Sequence, residues 1–157
     1  MLPSPDQLGV IGVPAQLAER VGARSLRLQR AMPYDDQRLA LEYRSADGRI
    51  VAGQWFLDTA RLEEARWRML ERSDGDDVAV VEGGRLLLQM RGADRLLVGL
   101  ANLAARPDAQ LLRHRPERRA VVRIGAGSET RFAKVVRPNK LEGIVARHRA
   151  VAALTAG

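Results

Sequence analysis

Of the 26 basic residues in this chain only Lys134 and Lys140 are lysine; all the others are arginine. Lys134 sits inside an apolar run, Arg131-Phe132-Ala133-Lys134-Val135-Val136, where a charged side chain needs a reason. Phosphate supplies one, because lysine meets it as a compact point charge. Upstream, Arg115-Pro116-Glu117-Arg118-Arg119 sets three guanidinium groups around a proline turn, and arginine forks bind phosphate oxygens directly. The plainer reading of Lys134 is a strand lysine whose stem snorkels to water.

Other constellations carry less. Gly125-x-Gly127-x-x-Thr130 lacks the Gly-Lys-Ser/Thr of a Walker loop, and no helix starts there, so a hairpin loop is expected. His114 and His148 are far apart and lack His-Glu-x-x-His spacing, so no zinc site is expected. His114 reads as a strand-end histidine and His148 as a half-buried packing residue. Asp74-Gly75-Asp76-Asp77 lacks calcium-loop spacing and a closing Glu; like Asp35-Asp36, it reads as a solvated turn. There is no cysteine, which removes disulfides, thiolate zinc sites and thiol nucleophiles and fits a reducing compartment. No apolar stretch approaches the ~20 residues that span a bilayer, and Met1-Leu2-Pro3-Ser4-Pro5-Asp6 has no signal-like core. A cytoplasmic protein with no membrane partner is expected. A net charge of +7 favours anionic partners. Scattered charge and only 4% aromatics argue against nucleic acid.

The elements that must position Lys134 follow from periodicity and turn chemistry. Residues 14–21 read as a short helix and 25–29 as a strand. Residues 38–44 and 49–57 form a hairpin around Asp47-Gly48. A helix runs from the N-cap Asp58 to about Arg72, with Leu62, Ala65, Met69 and Leu70 on one face. A second hairpin pairs 78–81 with 85–90 around Gly83-Gly84, and 93–105 reads as a helix broken by Pro107-Asp108. The last third is β-β-β-α: strands at 110–115, 119–124 and 130–137, then a helix from Asn139 to about Leu154. The fold class expected is α+β, antiparallel sheet segments with packed helices. Residues 1–108 form an N-terminal α+β region, and 109–157 a separate segment that ends at Ala156-Gly157 as if cut. Arg38-Leu-Ala-Leu-Glu-Tyr-Arg faintly echoes Arg119-Ala-Val-Val-Arg-Ile, and an ungapped overlay puts Gly53 under Lys134 with Gln54 beside it. Either 24–72 is a degenerate repeat of the last third, or two hairpin-plus-helix units simply look alike.

The segment from His114 to Ile124, with Phe132-Ala133-Lys134-Val135-Val136-Arg137-Pro138, resembles the N-terminal lobe of aminoglycoside phosphotransferase-like kinases. In that family a basic proline turn joins the first two strands, and the third carries a lysine, a hydrophobic pair and often Arg-Pro. The resemblance covers roughly residues 109–157. It implies a kinase-like lobe in which Lys134 holds the α- and β-phosphates of ATP, with Arg115 and Arg118 adding positive potential from the turn above. Glu142 then has two readings. One is the helix carboxylate that pairs with the strand lysine in kinases; the other is position N3 of a capping box with Asn139 as N-cap. At 100° per residue Glu142 lies about 120° from the centre of the stripe Leu141, Ile144, Val145, His148 and Ala152, which favours the cap.

Phosphoryl transfer also needs a general-base Asp and an Asp for magnesium. No His-x-Asp occurs: His114 is followed by Arg-Pro and His148 by Arg-Ala. The resemblance therefore implies the nucleotide-binding part of an enzyme that takes ATP, magnesium and a small-molecule hydroxyl when a C-terminal lobe is present. This chain alone is expected to be inactive, with no catalytic or metal-binding residues of its own. The rival is a non-catalytic, Arg-rich module that binds an acidic protein or RNA.

Overall fold

The computed structural model describes residues 11, 14–73, 75–81 and 85–155. The fold is α+β with two antiparallel sheets. The elements are α1 (Pro14–Arg20), β1 (Leu26–Asp35), β2 (Arg38–Ser45), β3 (Ile50–Phe56), α2 (Thr59–Leu70), β4 (Val78–Val80), β5 (Leu86–Gln89), α3 (Leu100–Ala104), β6 (Ala109–Arg115), β7 (Arg119–Ile124), β8 (Arg131–Val136) and α4 (Pro138–Thr155). The first sheet runs β1-β2-β3-β5-β4 and the second β6-β7-β8.

Strand alternation sets both faces of the first sheet. Leu41, Tyr43, Val51, Trp55, Leu86 and Leu88 face one way and are covered by Leu17, Ala18 and Val21 of α1 and the turn after it. Phe56 and Leu87 face the other way, against the Leu62, Ala65 and Met69 stripe of α2. Asp58 caps α2 as its sequence demands, accepting a hydrogen bond from Ala60 N at 2.8 Å. Gly48, at φ 84, closes the β2–β3 turn in the left-handed region that favours glycine. On the α2 side, Ala40 and Ala52 are fully buried, and these small residues let β6 lie against β2 and β3. The second sheet packs Ala120 and Val122 on Leu97 and Leu100.

Four expectations change. β1 extends to Asp35 through Pro33, which is tolerated because β1 is an edge strand and no neighbour needs that N–H. The helix expected over 93–105 shrinks to Leu100–Ala104. Asp94 instead accepts from Leu96 N and Leu97 N in a side-chain-closed turn, and Gly99 at φ 82 breaks the helical path. The last helix begins at Pro138, whose ring presets φ and whose missing N–H costs nothing in a first turn. Asn139 is thus inside the helix, and the capping box does not form. His148, expected half-buried, is exposed. The Gly83-Gly84 turn lies outside the described residues.

The two β-β-β-α runs can be laid on each other. The displacement that carries Arg38 onto Arg119, the first residues of β2 and β7, also carries Ile50 onto Arg131, the first residues of β3 and β8. The pairing register is finer than this overlay. Ala40 pairs with Gln54, and Val121, its counterpart, pairs with Lys134. By register, Gln54 rather than Gly53 stands where Lys134 does.

Candidate phosphate-binding cleft

Register places Lys134 among cations. Directly paired residues in an antiparallel sheet share a face. Arg113 pairs with Val121, and Val121 with Lys134, in one row across β6, β7 and β8. Arg115 pairs with Arg119 in the next row of the same face. The opposite face carries His114, Ala120 and Val122, all buried at 0% exposure. One side of the second sheet is therefore core, and the other an arginine- and lysine-bearing surface on which Lys134 is exposed.

This surface forms one wall of a cleft of about 330 Å³ whose other wall is Arg30, Met32 and Glu42 of the first sheet. Five cations, Arg30, Arg113, Arg115, Arg119 and Lys134, meet one carboxylate there. Glu42 is already engaged: it accepts from the His114 N–H at 3.2 Å and lies 3.6 Å from Arg113. Among the described residues, Arg30, Arg115, Arg119 and Lys134 make no ion pair. Arg115 goes further, because its Nε is buried with no hydrogen-bond partner. Burial, then the charges of Arg118 and Arg119, hold its guanidinium below the ordinary arginine range, with Tyr34 pulling the other way. An anionic oxygen at this point would satisfy the Nε donor and offset the repulsion.

The turn carrying Arg115 is braced from below. Glu117 is 1% exposed and has φ 57, a left-handed conformation that strains a side-chain-bearing residue. Its N–H donates to Asp94 Oδ2 at 2.7 Å, and its carboxylate accepts from Arg95 Nε at 2.5 Å and Arg38 Nη1 at 3.4 Å. Arg137 donates to the Glu117 carbonyl and to the Tyr34 hydroxyl. His114 Nε2 meets the same Asp94 Oδ2 at 2.9 Å. This network ties both β-turns and the start of α4 into one block, so Arg115 and Arg119 flank a preorganised turn.

The expected residues divide. Lys134 and Arg115 line the cleft together. Arg118 turns away, donating from Nη2 to the Tyr34 carbonyl at 3.0 Å and stacking 4.7 Å from the Tyr34 ring centre. Glu142 is exposed early in α4 and makes no ion pair among the described residues. Arg30, Arg113, Arg119 and Glu42 are additions. Arg119 was legible as part of the basic turn, but Arg30 and Arg113 depend on the packing of β6 against the first sheet.

No group of three His, Asp or Glu among the described residues could hold a metal. The cationic lining of the cleft suits an anionic group such as a phosphate. Asp77, expected in a solvated turn, is instead buried and bridged to Arg91. A second cavity, of about 230 Å³, is lined by Val21, Val51, Met90 and Leu111 with Asp47, Arg49 and Arg91 among its charged residues. Those charges are paired, Asp47 with Arg49 and Arg91 with Asp77, so the cationic cleft is the stronger candidate. Among the described residues, no helix is long and apolar enough to cross a membrane. Comparison with protein-family models, with curated proteins and with solved structures gives no match.

Proposed function

We propose that this chain is the nucleotide-binding portion of an aminoglycoside phosphotransferase-like kinase, with Lys134 and Arg115 on the phosphates of ATP. The observation that carries this reading is the gathering of unpaired cations around Lys134, with the orphaned Nε of Arg115 beside it. Residues 109–157 are then the lobe segment, and 1–108 a preceding region in which 24–72 repeats the β-β-β-α plan. Transfer of the γ-phosphate to a small-molecule hydroxyl would need a general-base Asp and magnesium ligands from a C-terminal lobe. Alone, the chain binds nucleotide weakly and transfers nothing. The reading is of a cytoplasmic protein, in keeping with a cysteine-free sequence.

A titration with magnesium-ATP tests this. Losing a charge-assisted contact costs about 1.5–3 kcal/mol, so Lys134→Ala should weaken binding about ten- to a hundred-fold. Arg61→Ala, at an exposed position of α2, should leave it unchanged. The rival, a non-catalytic module for an acidic protein or RNA, draws support from exposed Arg123 and Arg131. It predicts that Lys134→Ala matters no more than any single arginine replacement.

A further inference from the structure

The first sheet contributes its own cation to the cleft, and its position follows from pairing. Arg30 pairs with Glu42 across β1 and β2, so the two share a face. Glu42 reaches over to β6, within 3.6 Å of Arg113 and bonded to the His114 N–H. Arg113 continues through Val121 to Lys134. One row thus crosses five strands and both sheets: Arg30, Glu42, Arg113, Val121, Lys134. Glu42, 4% exposed, is its hinge. It neutralises part of the charge of Arg113, and the β1–β2 register sets Arg30 beside it on the wall opposite the second sheet.

From this row we infer that Arg30 is a binding residue of the anion site, and that the site takes a polyphosphate chain rather than a single phosphate group. The inference rests on the nucleotide reading above. One phosphate carries a charge of about −1.5 to −2 and three acceptor oxygens, too few to engage cations spread over two rows and two walls. Neighbouring strands lie about 4.8 Å apart, so the backbones under Arg113 and Lys134 are about 10 Å apart, a gap that flexible side chains close around an extended chain of phosphates. Met32, on the same wall as Arg30, adds an apolar contact beside them. The preceding region is then part of the ligand site and not only a neighbour of it.

Calorimetric titration of the full chain with sodium tripolyphosphate, sodium orthophosphate and magnesium-ATP tests this. Tripolyphosphate should bind at least about ten-fold more tightly than orthophosphate. Arg30→Ala should weaken tripolyphosphate and ATP about ten-fold, the loss expected for one charge-assisted contact, without changing the melting temperature, since Arg30 is exposed and unpaired. Arg24→Ala, exposed just ahead of β1, should change neither affinity. Unaltered affinities in Arg30→Ala, with Lys134→Ala still defective, would overturn the role of Arg30 and leave the nucleotide reading standing. Equal affinity for orthophosphate and tripolyphosphate would overturn the polyphosphate assignment. Failure of every anion to bind would overturn this inference and the nucleotide reading together.

Discussion

Asp94 links the two sheets through one carboxylate. It accepts from Leu96 N, Leu97 N and Glu117 N and meets buried His114. Burial opposes its ionisation. The hydrogen bond and charge of His114, then the backbone N–H groups of Glu117 and Leu96, outweigh that and hold the carboxyl below its ordinary value. The folded pKa thus lies below the unfolded value of about 3.9. Ionised Asp94 therefore stabilises the fold above about pH 4, and the contribution disappears as pH falls through the folded pKa. Urea denaturation should show Asp94→Asn about 3 kcal/mol less stable at pH 7, with the gap to the parent closing in acid; a gap constant with pH would contradict this role. Lys134 stood out because it is a lysine among arginines in an apolar run. Asp94 and His114 gave no such signal, since they meet each other and Glu117 only in the fold, and Arg30 gave none, since the cleft it lines forms only when the two sheets meet. Arg118 looked equivalent to Arg115 but sits past the strained Glu117, which turns it onto Tyr34.

At the scale of elements, α2 and α4 are a natural comparison. Both follow the third strand of a β-β-β-α run. Their stripes correspond from the helix starts at Thr59 and Pro138: Leu62 with Leu141, Ala65 with Ile144, Met69 with His148. Leu62 is 2% exposed against the β4–β5 side of its sheet, whereas Leu141 is 53% exposed. Leu62→Ala should therefore cost about 3 kcal/mol by chemical denaturation, and Leu141→Ala less than about 0.5 kcal/mol. Equal costs would mean that α4 is packed like α2. Helices and hairpins were legible where local chemistry decides them: Asp58 capping α2, Asp47-Gly48 turning β2 into β3, alternation through both sheets. They were misread where tertiary partners overrode a local pattern. Asp94 spends its carboxylate on a turn and on His114 instead of a longer helix, and the edge position of β1 permits Pro33. The capping box at Asn139 lost to the better first-turn residue, Pro138.

For the whole molecule, the two units differ in what occupies the face around Lys134 and its counterpart. In the first unit the register counterpart is Gln54, 1% exposed, donating to Gln89 at 3.1 Å, and its face is filled by α2 and β6. In the second, the face of Lys134 is open, cationic and joined to Arg30 of the first. The sequence echo suggested the shared plan, but only register identifies Gln54, because Ile124 pairs with Arg131 whereas its counterpart Tyr43 pairs with Val51, one residue further along. On the reading proposed above, this open face binds nucleotide phosphates. The most direct test is an NMR chemical-shift map of magnesium-ATP on the full chain beside Lys134→Ala. Nucleotide binding there would shift Arg30, 113–119 and 132–136, and those shifts would vanish in the variant. Shifts absent at millimolar ATP, or shifts unchanged by Lys134→Ala, would contradict it.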